Sequence, residues 1–303
     1  MSRIYEALER SEKERKDRSA SEPEARATLM PAGDDERRAS SPASQFFDTI
    51  RRFTWKPSMV SLPTLAESGL PAEQFRSLRS SIYQFRDQIT LKTILVSSGM
   101  PTEGKTFVAA NLAISLARNS ERPVLLIDAD LRRPSIHRLL GARDTPGLLQ
   151  YLSGQVELMD ILQRDNGTAV ASANGVPAIS NLALIPAGGM TDAPELVGNQ
   201  RIEELIRSVS PHFAWVIIDS PPVLAVTDAV DLARAAEGVL LVARSAKTKL
   251  DVAQRAQAAF ANARLLGFVL NAVKDAPRSS YYYYYHGEKN DLPARSKAHR
   301  SRA

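Results

Sequence analysis

The 303-residue sequence predicts an α/β protein with a mostly parallel central sheet flanked by helices, and three observations support this fold class. First, 44% of the residues are apolar, which is enough for a sizeable buried core. Second, from about residue 64 onward, short runs rich in Val, Ile and Leu alternate with amphipathic stretches. Third, the runs are almost continuously apolar, as expected for strands that crossover helices bury on both faces.

The apolar runs predict six strands, and the stretches between them predict five helices. Strands are predicted at residues 92–98, 123–129, 181–187, 214–220, 238–244 and 265–273. Helices are predicted at residues 72–89, 105–119, 199–208, 228–236 and 250–263. This alternation of strand and helix is typical of a parallel sheet.

Composition divides the chain into three parts. Residues 1–63 begin with a short polar helix, either solvated or docked to a partner, and continue without periodicity, which predicts a disordered linker. Residues 64–275 form the predicted folded domain, and residues 276–303 form a flexible tail with a tyrosine cluster. Four aromatic residues interrupt the linker and are candidates to pack on the core: Phe46, Phe47, Phe53 and Trp55.

Composition also excludes several classes of function. The chain has no cysteine, which rules out disulfides, thiolate zinc sites and cysteine nucleophiles, and its four histidines are scattered. No apolar run approaches the length of a membrane helix, so a cytoplasmic protein is expected. The net charge of +5 comes mainly from residues 276–303, which hold 6 basic and 2 acidic side chains, and nucleic acid is therefore not an expected partner.

The strongest motif follows the first predicted strand of the domain. Residues 99–106, GMPTEGKT, match the pattern G-x-x-x-x-G-K-[ST] and lie between that strand and a helix, where an ordinary glycine turn is a poor alternative. In this motif the loop and the helix N-terminus cradle phosphate, Lys105 reaches the β and γ phosphates, and the Thr106 hydroxyl ligates magnesium. The sequence therefore predicts a P-loop NTPase fold with ATP and Mg²⁺. The predicted nucleotide-binding residues are Gly99, Met100, Pro101, Thr102, Glu103, Gly104, Lys105, Thr106 and Phe107.

Aspartates end two further strands. Asp128 and Asp130 lie at the C-terminal end of the second predicted strand, with Arg132 two residues on, and Asp219 ends the strand WVIID. Ligands gather at the carboxyl ends of parallel strands, so these carboxylates are expected to face the P-loop. There they can hold magnesium, Asp219 through water, or accept a proton from an attacking hydroxyl. Taken alone, each aspartate could instead cap a helix or close a turn.

Together these motifs resemble those of the bacterial tyrosine kinases, or BY-kinases, of capsular and exopolysaccharide assembly. The resemblance covers about residues 70–285. Members of that family carry a P-loop, a D-x-D-x-R motif, a Walker B aspartate, an E-x-x-R-x-x-R helix and a C-terminal tyrosine cluster. The last two motifs are matched here by Glu73, Arg76 and Arg79, and by Tyr281, Tyr282, Tyr283, Tyr284 and Tyr285.

The resemblance implies an ATP-dependent protein tyrosine autokinase that regulates polysaccharide polymerisation and export, with the tyrosine run as phosphoacceptor. It implies a ring-like homo-oligomer formed through the Glu73 helix and a cognate phosphotyrosine phosphatase. It also implies a separate membrane-bound activator, a chain-length determinant protein, that recruits the kinase to the inner face of the plasma membrane. In related ATPases the residue at the position of Asn271 often contacts the adenine, which makes Asn271 a candidate for that contact; the alternative is a buried asparagine that caps the strand. The implied catalytic residues are Lys105, Asp128, Asp130 and Arg132, and the implied metal-site residues are Thr106, Asp128 and Asp219.

Two other functions remain open from the sequence. A positioning or partitioning ATPase shares the aspartate motifs, but such proteins carry an extra lysine where this chain has Met100. A structural assembly factor would use nucleotide only to set its oligomeric state. The tyrosine run favours the kinase, because neither alternative needs five successive phenols.

Overall fold

A computed structural model describes most of the domain predicted from the sequence. The described residues are 42–66, 68–167, 179–191 and 200–273. The predictions for residues 1–41 and for the tyrosine run therefore lie outside the described residues. Within these ranges, no helix combines the length and the apolarity that crossing a bilayer requires.

One eight-stranded sheet organises the described part of the chain. Its strands are β1 (Arg51–Phe53), β2 (Thr93–Ser98), β3 (Val124–Asp128), β4 (Gln163–Asp165), β5 (Leu182–Ile185), β6 (Trp215–Asp219), β7 (Gly238–Arg244) and β8 (Leu265–Asn271). Their spatial order is β1-β4-β5-β3-β6-β2-β7-β8, and only β4 and β5 run antiparallel to each other. The mostly parallel sheet is thus confirmed, and all six predicted strands lie within two residues of their predicted ends. The sequence did not predict β1 and β4.

Helices cover the sheet. They are α1 (Pro42–Thr49), α2 (Leu70–Gln88), α3 (Lys105–Ala117), α4 (Ile136–Leu140), α5 (Leu148–Leu152), α6 (Leu158–Ile161), α7 (Gln200–Val209), α8 (Asp228–Arg234) and α9 (Leu250–Ala259). The five predicted helices correspond to α2, α3, α7, α8 and α9. The four short helices α1, α4, α5 and α6 were not predicted.

The core lies on both faces of the sheet. Every residue of β2, β3, β5 and β6 is buried, which explains why these strands read as continuous apolar runs. One apolar cluster includes Phe213 and Leu205, and the other, on α3, includes Leu112 and Trp215. Helix α3 is itself buried from Val108 to Ala117, so the P-loop that precedes it rests on a rigid support.

Residues 42–62 correct the predicted domain start at residue 64. Phe47 and Trp55 are buried in the two apolar clusters, and β1 forms a parallel pair with β4. The Trp55 backbone N–H donates a hydrogen bond to Asp165 Oδ1 at 3.2 Å. This segment therefore belongs to the folded domain, because a few large aromatic side chains bury enough area to order a stretch of otherwise linker-like composition.

Candidate active site

The P-loop connects β2 to α3. Gly104 precedes the first residue of α3 and has a φ of 97°, a left-handed conformation that favours glycine. A Cβ at this position would lie 2.0 Å from Asn271 Nδ2, so any larger residue would displace the Asn271 amide from the loop. The first N–H groups of α3 have no partner within the helix and face the loop. The loop and helix thus form a cradle for an anion.

Glu103 braces the loop from inside. Its side chain is buried, and its carboxylate accepts a hydrogen bond from the Met100 backbone N–H at 2.8 Å. The Thr248 hydroxyl donates a second hydrogen bond to the same carboxylate. A residue at a variable position of the motif therefore sets the shape of the loop.

The ends of β7 and β8 brace the loop from the side. Arg244 Nη1 donates to the Thr102 carbonyl oxygen at 3.0 Å, and Asn271 Nδ2 donates to the Glu103 carbonyl oxygen at 2.9 Å. The sequence did not identify Arg244 or Thr248 as functional. Their only signal was their place at or just after the end of a predicted strand.

The aspartates lie where the parallel register predicts. Asp128 on β3 is the direct partner of Asp219 on β6, and β6 is also the neighbour of the P-loop strand. Lys105 reaches toward them: its Nζ lies 2.7 Å from Asp130 Oδ2 and 3.8 Å from Asp219 Oδ1. Burial opposes the charge on Lys105, but the carboxylates of Asp219 and Asp130 outweigh it and raise the pKa of the lysine.

Two of these carboxylates are fully buried and incompletely paired. Asp128 Oδ2 accepts hydrogen bonds from the backbone N–H groups of Ser135 and Ile136 at 3.0 Å, while Asp128 Oδ1 and both oxygens of Asp219 have no hydrogen-bond partner among the described residues. Burial, reinforced by Asp219, raises the pKa of Asp128 to about 7. Burial also raises the pKa of Asp219 to about 6, although Lys105 opposes the shift.

These oxygens fit a magnesium ion. Mg²⁺ prefers oxygen ligands and is usually held by one or two carboxylates together with substrate phosphates. The described residues contain no group of three or more His, Cys, Asp or Glu side chains arranged to hold a metal unaided. The buried oxygens of Asp128 and Asp219 that accept no hydrogen bond within the described residues, with the Thr106 hydroxyl nearby on the P-loop, suit an ion that arrives with a nucleotide.

A cleft of about 380 Å³ opens beside Lys105. Arg132 lies on one wall and its Nε donates to Asp228 Oδ2 at 3.1 Å, which fixes the arginine against the N-terminus of α8. Asp228 could not be predicted as a site residue, because its pairing with Arg132 depends on how β3 and β6 lie in the sheet. The residues that line the cleft are Pro101, Thr102, Lys105, Thr106, Asp130, Arg132, Arg133, Ser135, Arg138, Pro221, Pro222, Ala225 and Val226.

The predicted site residues fall into two places. Most of them come together at the carboxyl edge of the sheet: the P-loop, the three aspartates, Arg132 and Asn271. Phe107, predicted with the P-loop, differs, because its ring packs toward Phe75 with 5.8 Å between the ring centroids. Glu73, Arg76 and Arg79 lie apart on α2, where Glu73 pairs with Arg76. Arg79 contacts Ser115 near the far end of α3.

Comparison with known proteins defines the class. The family profile "ParA: NUBPL iron-transfer P-loop NTPase" matches residues 90–290, more than half of the chain, which makes this protein a ParA-like P-loop NTPase. Within that class, the chain is 34% identical over 219 residues to tyrosine-protein kinase YwqD of Bacillus subtilis, covering 71% of this chain and 87% of the relative. The chain therefore belongs to the bacterial tyrosine kinases.

Two further comparisons agree. The chain is 35% identical over 229 residues to tyrosine-protein kinase wzc of Salmonella typhimurium, covering 74% of this chain but only 30% of that relative. The kinase domain of the Escherichia coli tyrosine kinase ETK superposes with a TM-score of 0.63 at 29% identity, covering 82% of this chain and 88% of that domain. The chain thus spans less than a third of the length of the wzc relative.

Proposed function

We propose that this protein is an ATP-dependent tyrosine kinase that phosphorylates its own tyrosine run at residues 281–285 and thereby regulates capsular or exopolysaccharide polymerisation and export. The observation that carries the proposal is the pair of buried, incompletely paired carboxylates beside a P-loop lysine. Similarity to relatives named tyrosine-protein kinases supports the same reading.

The P-loop positions the phosphates. Its backbone N–H groups and the N-terminus of α3 bind them, and the Glu103 and Asn271 hydrogen bonds keep the loop in shape without the ligand. Lys105 stays charged because its pKa is raised, and Asp130 holds it toward the cleft until a phosphate oxygen takes its place. Preorganised charge of this kind is the main source of catalysis in phosphoryl transfer.

Thr106, Asp219 and Asp128 would hold magnesium, which when bound neutralises the charge that develops on the phosphate oxygens. Asn271, already against the loop, would border the adenine. Arg132, fixed by Asp228, lines the cleft through which a tyrosine would approach.

Asp128 is proposed either as the base that accepts the proton of the attacking tyrosine or as a magnesium ligand. Its Oδ2 is held by two backbone N–H groups, so its Oδ1 has a fixed position, and Oδ1 has no hydrogen-bond partner among the described residues. This oxygen would accept the hydroxyl proton. A pKa of about 7 is well matched to proton transfer near neutral pH. The phosphoryl group moves from ATP to the tyrosine oxygen, the proton moves to Asp128, and ADP leaves.

The remaining expectations concern assembly. Glu73, Arg76 and Arg79 would mediate a ring-like homo-oligomer that presents the tail of one copy to the cleft of another. A membrane-bound activator would recruit the kinase to the inner face of the plasma membrane, and a phosphotyrosine phosphatase would reset it. Helix α2 supports this, because Arg76 is exposed on its surface.

The test is incubation of the full chain with magnesium and ATP, with and without peptides from candidate activators, followed by anti-phosphotyrosine detection. We expect phosphotyrosine in the unaltered chain and its loss when all five tyrosines are changed to phenylalanine. ATP hydrolysis without any phosphotyrosine, under every activator tested, would refute the kinase and favour a positioning ATPase.

A further inference from the structure

A second polar pocket lies far from the P-loop. It has a volume of about 290 Å³ and lies between α2, α3 and the turn at Pro63–Leu65. Helix α3 runs from Lys105 to Ala117, and 13 residues at about 1.5 Å each place its two ends roughly 20 Å apart. The pocket is therefore separate from the nucleotide cleft. It is lined by Thr64, Ala66, Ala72, Arg76, Arg79, Ser115, Arg118 and Asn119.

Two of the three arginines in this pocket, Arg79 and Arg118, are each held in place by hydrogen bonds from the Nη1 nitrogen alone. Arg79 Nη1 donates to the Ser115 carbonyl oxygen at 3.2 Å and to Ser115 Oγ at 3.1 Å. Arg118 Nη1 donates to the carbonyl oxygens of Thr64 and Leu65 at 2.8 and 3.1 Å. Among the described residues, the Nε and Nη2 groups of both guanidiniums have no hydrogen-bond partner. Two oriented sets of donors are thus available to a ligand.

The charge of the pocket favours an anion. Glu73, on the same helix as Arg79, pairs with Arg76, and no ion pair within the described ranges includes Arg79 or Arg118. Burial lowers the pKa of Arg79, Tyr83 opposes this, and the like charge of Arg76 adds to it. A ligand that brings negative charge would relieve this repulsion.

We propose that this arginine pocket binds the phosphate dianion of a phosphotyrosine from the 281–285 run. Guanidinium groups recognise phosphate through paired hydrogen bonds, and arginine clusters are a recurrent means of binding phosphorylated tyrosine. The pocket has room for a phosphate and part of the ring, with Ala66 and Ala72 as apolar contacts. The inference rests on the proposed function, which would generate the phosphotyrosine.

A consequence is a link between phosphorylation and assembly. Arg76 and Arg79 are also the residues proposed to mediate self-association. A phosphorylated tail that occupies the pocket would compete with a neighbouring copy for the same two side chains. Binding of the product would then favour dissociation of the assembly.

The experiment measures binding and not catalysis. Phosphatase-treated full-length chain, without ATP, is titrated in a calorimeter with a peptide of residues 279–287 phosphorylated on one tyrosine, with the unphosphorylated peptide, and with inorganic phosphate. We expect the phosphopeptide to bind at least tenfold more tightly than either comparison ligand, and binding to weaken with added salt. Because no phosphoryl transfer is needed, a catalytically inactive protein would not affect this result.

Variants locate the site. Arg79→Gln combined with Arg118→Gln should weaken phosphopeptide binding at least tenfold, and Arg118→Lys, which keeps the charge but loses the fork, should weaken it less. The matched control is Arg122→Gln, since Arg122 is also exposed and donates only to a backbone carbonyl, that of Pro211 at 2.7 Å. Thermal unfolding checks that each variant is folded.

Three outcomes would overturn the proposal. Displacement of the phosphopeptide from the unaltered chain by magnesium and ADP would place the binding at the P-loop, whether or not any variant folds. Equal affinity for inorganic phosphate would exclude the tail as the ligand. Unchanged binding in the folded double variant would exclude the arginine pocket.

Discussion

Replacing Asp128 with asparagine should stabilise the metal-free protein while it impairs the reaction. Asp128 is fully buried beside Asp219, and its pKa is raised to about 7. An asparagine has nearly the same shape, so its amide oxygen can still accept the hydrogen bonds from Ser135 and Ile136. Its NH₂ group would take the position of the unpaired Oδ1 and face Asp219 without a negative charge.

The sign and size of the effect follow from the pKa. An acid whose pKa is higher in the folded than in the unfolded chain binds its proton more tightly when folded. The free energy of unfolding therefore falls as the pH rises from about 4 to about 7. A pKa displaced from 3.8 to about 7 corresponds, at roughly 1.4 kcal/mol per pH unit, to at most about 4 kcal/mol. Asp128→Asn should recover much of this loss above pH 7 and little of it below pH 4.

The assay is urea unfolding in EDTA at pH 5 and pH 8, for the unaltered chain and the variant, together with the rate of phosphotyrosine formation in magnesium and ATP. We expect a smaller loss of stability between the two pH values in the variant and a strongly reduced rate. The control is Asp87→Asn on the exposed surface of α2. A variant less stable than the unaltered chain at pH 8, or an equal pH dependence of the two, would refute the reasoning.

Three substitutions test other contacts of the structure, and a deletion accompanies the third. Lys105→Met should leave a folded protein without phosphotyrosine, because the lysine serves the phosphates and not the core, and circular dichroism with anti-phosphotyrosine detection checks both. Asp228→Asn should lower the rate of phosphoryl transfer about tenfold with little change in ATP affinity, since it removes the negative charge that fixes Arg132. Kinetics measures the rate, and nucleotide titration measures the affinity. Trp55→Ala should destabilise the domain by about 3–5 kcal/mol in urea unfolding, since Trp55 is 1% exposed, whereas deletion of residues 1–41 should leave the unfolding midpoint nearly unchanged.

Each of these has a result that would contradict it. Undiminished phosphotyrosine in Lys105→Met would remove the P-loop from the reaction. Equal losses of rate and of ATP affinity in Asp228→Asn would mean that the pair supports the fold of the cleft and not the position of Arg132. An unfolding midpoint unaffected by Trp55→Ala would restore residue 64 as the start of the folded domain.

The long elements and the aspartates could be predicted because each depends on local pattern and parallel register. A buried parallel strand must be apolar along its length, and its neighbours must end at the same edge. Asp128 and Asp219 could therefore be placed together before their contacts were known. The loop braces at Arg244 and Thr248 could not, since they depend on β7 lying next to β2, which no pattern in the sequence specifies.

Strand β4 shows a different limit. Its residues are Gln163, Arg164 and Asp165, all buried, so hydrophobic periodicity cannot detect it. Burial is possible because each side chain has partners distant in sequence. Gln163 bonds to the backbone of Arg143, Arg164 to Asp48, and Asp165 to Trp55. The segment at residues 42–62 and strand β4 supply each other's buried partners, so neither can be predicted from its own local sequence.

The place where β8 ends relates the tail to both sites. Asn271 contacts the P-loop, so the chain leaves the sheet at the edge where nucleotide is expected. Tyr281 follows Asn271 by ten residue steps, a reach of at most about 35 Å. Four strand spacings from β8 to Asp128 on β3 amount to roughly 19 Å. The chain up to Tyr281 is therefore long enough for an unphosphorylated tyrosine to reach the edge of the sheet where these aspartates lie. Each phosphate then adds about −1.5 to −2 charges to the tail. The aspartates repel this negative charge, and the arginine pocket at the opposite end of α3 attracts it. Phosphorylation itself therefore drives the tail from the active site to the arginine pocket.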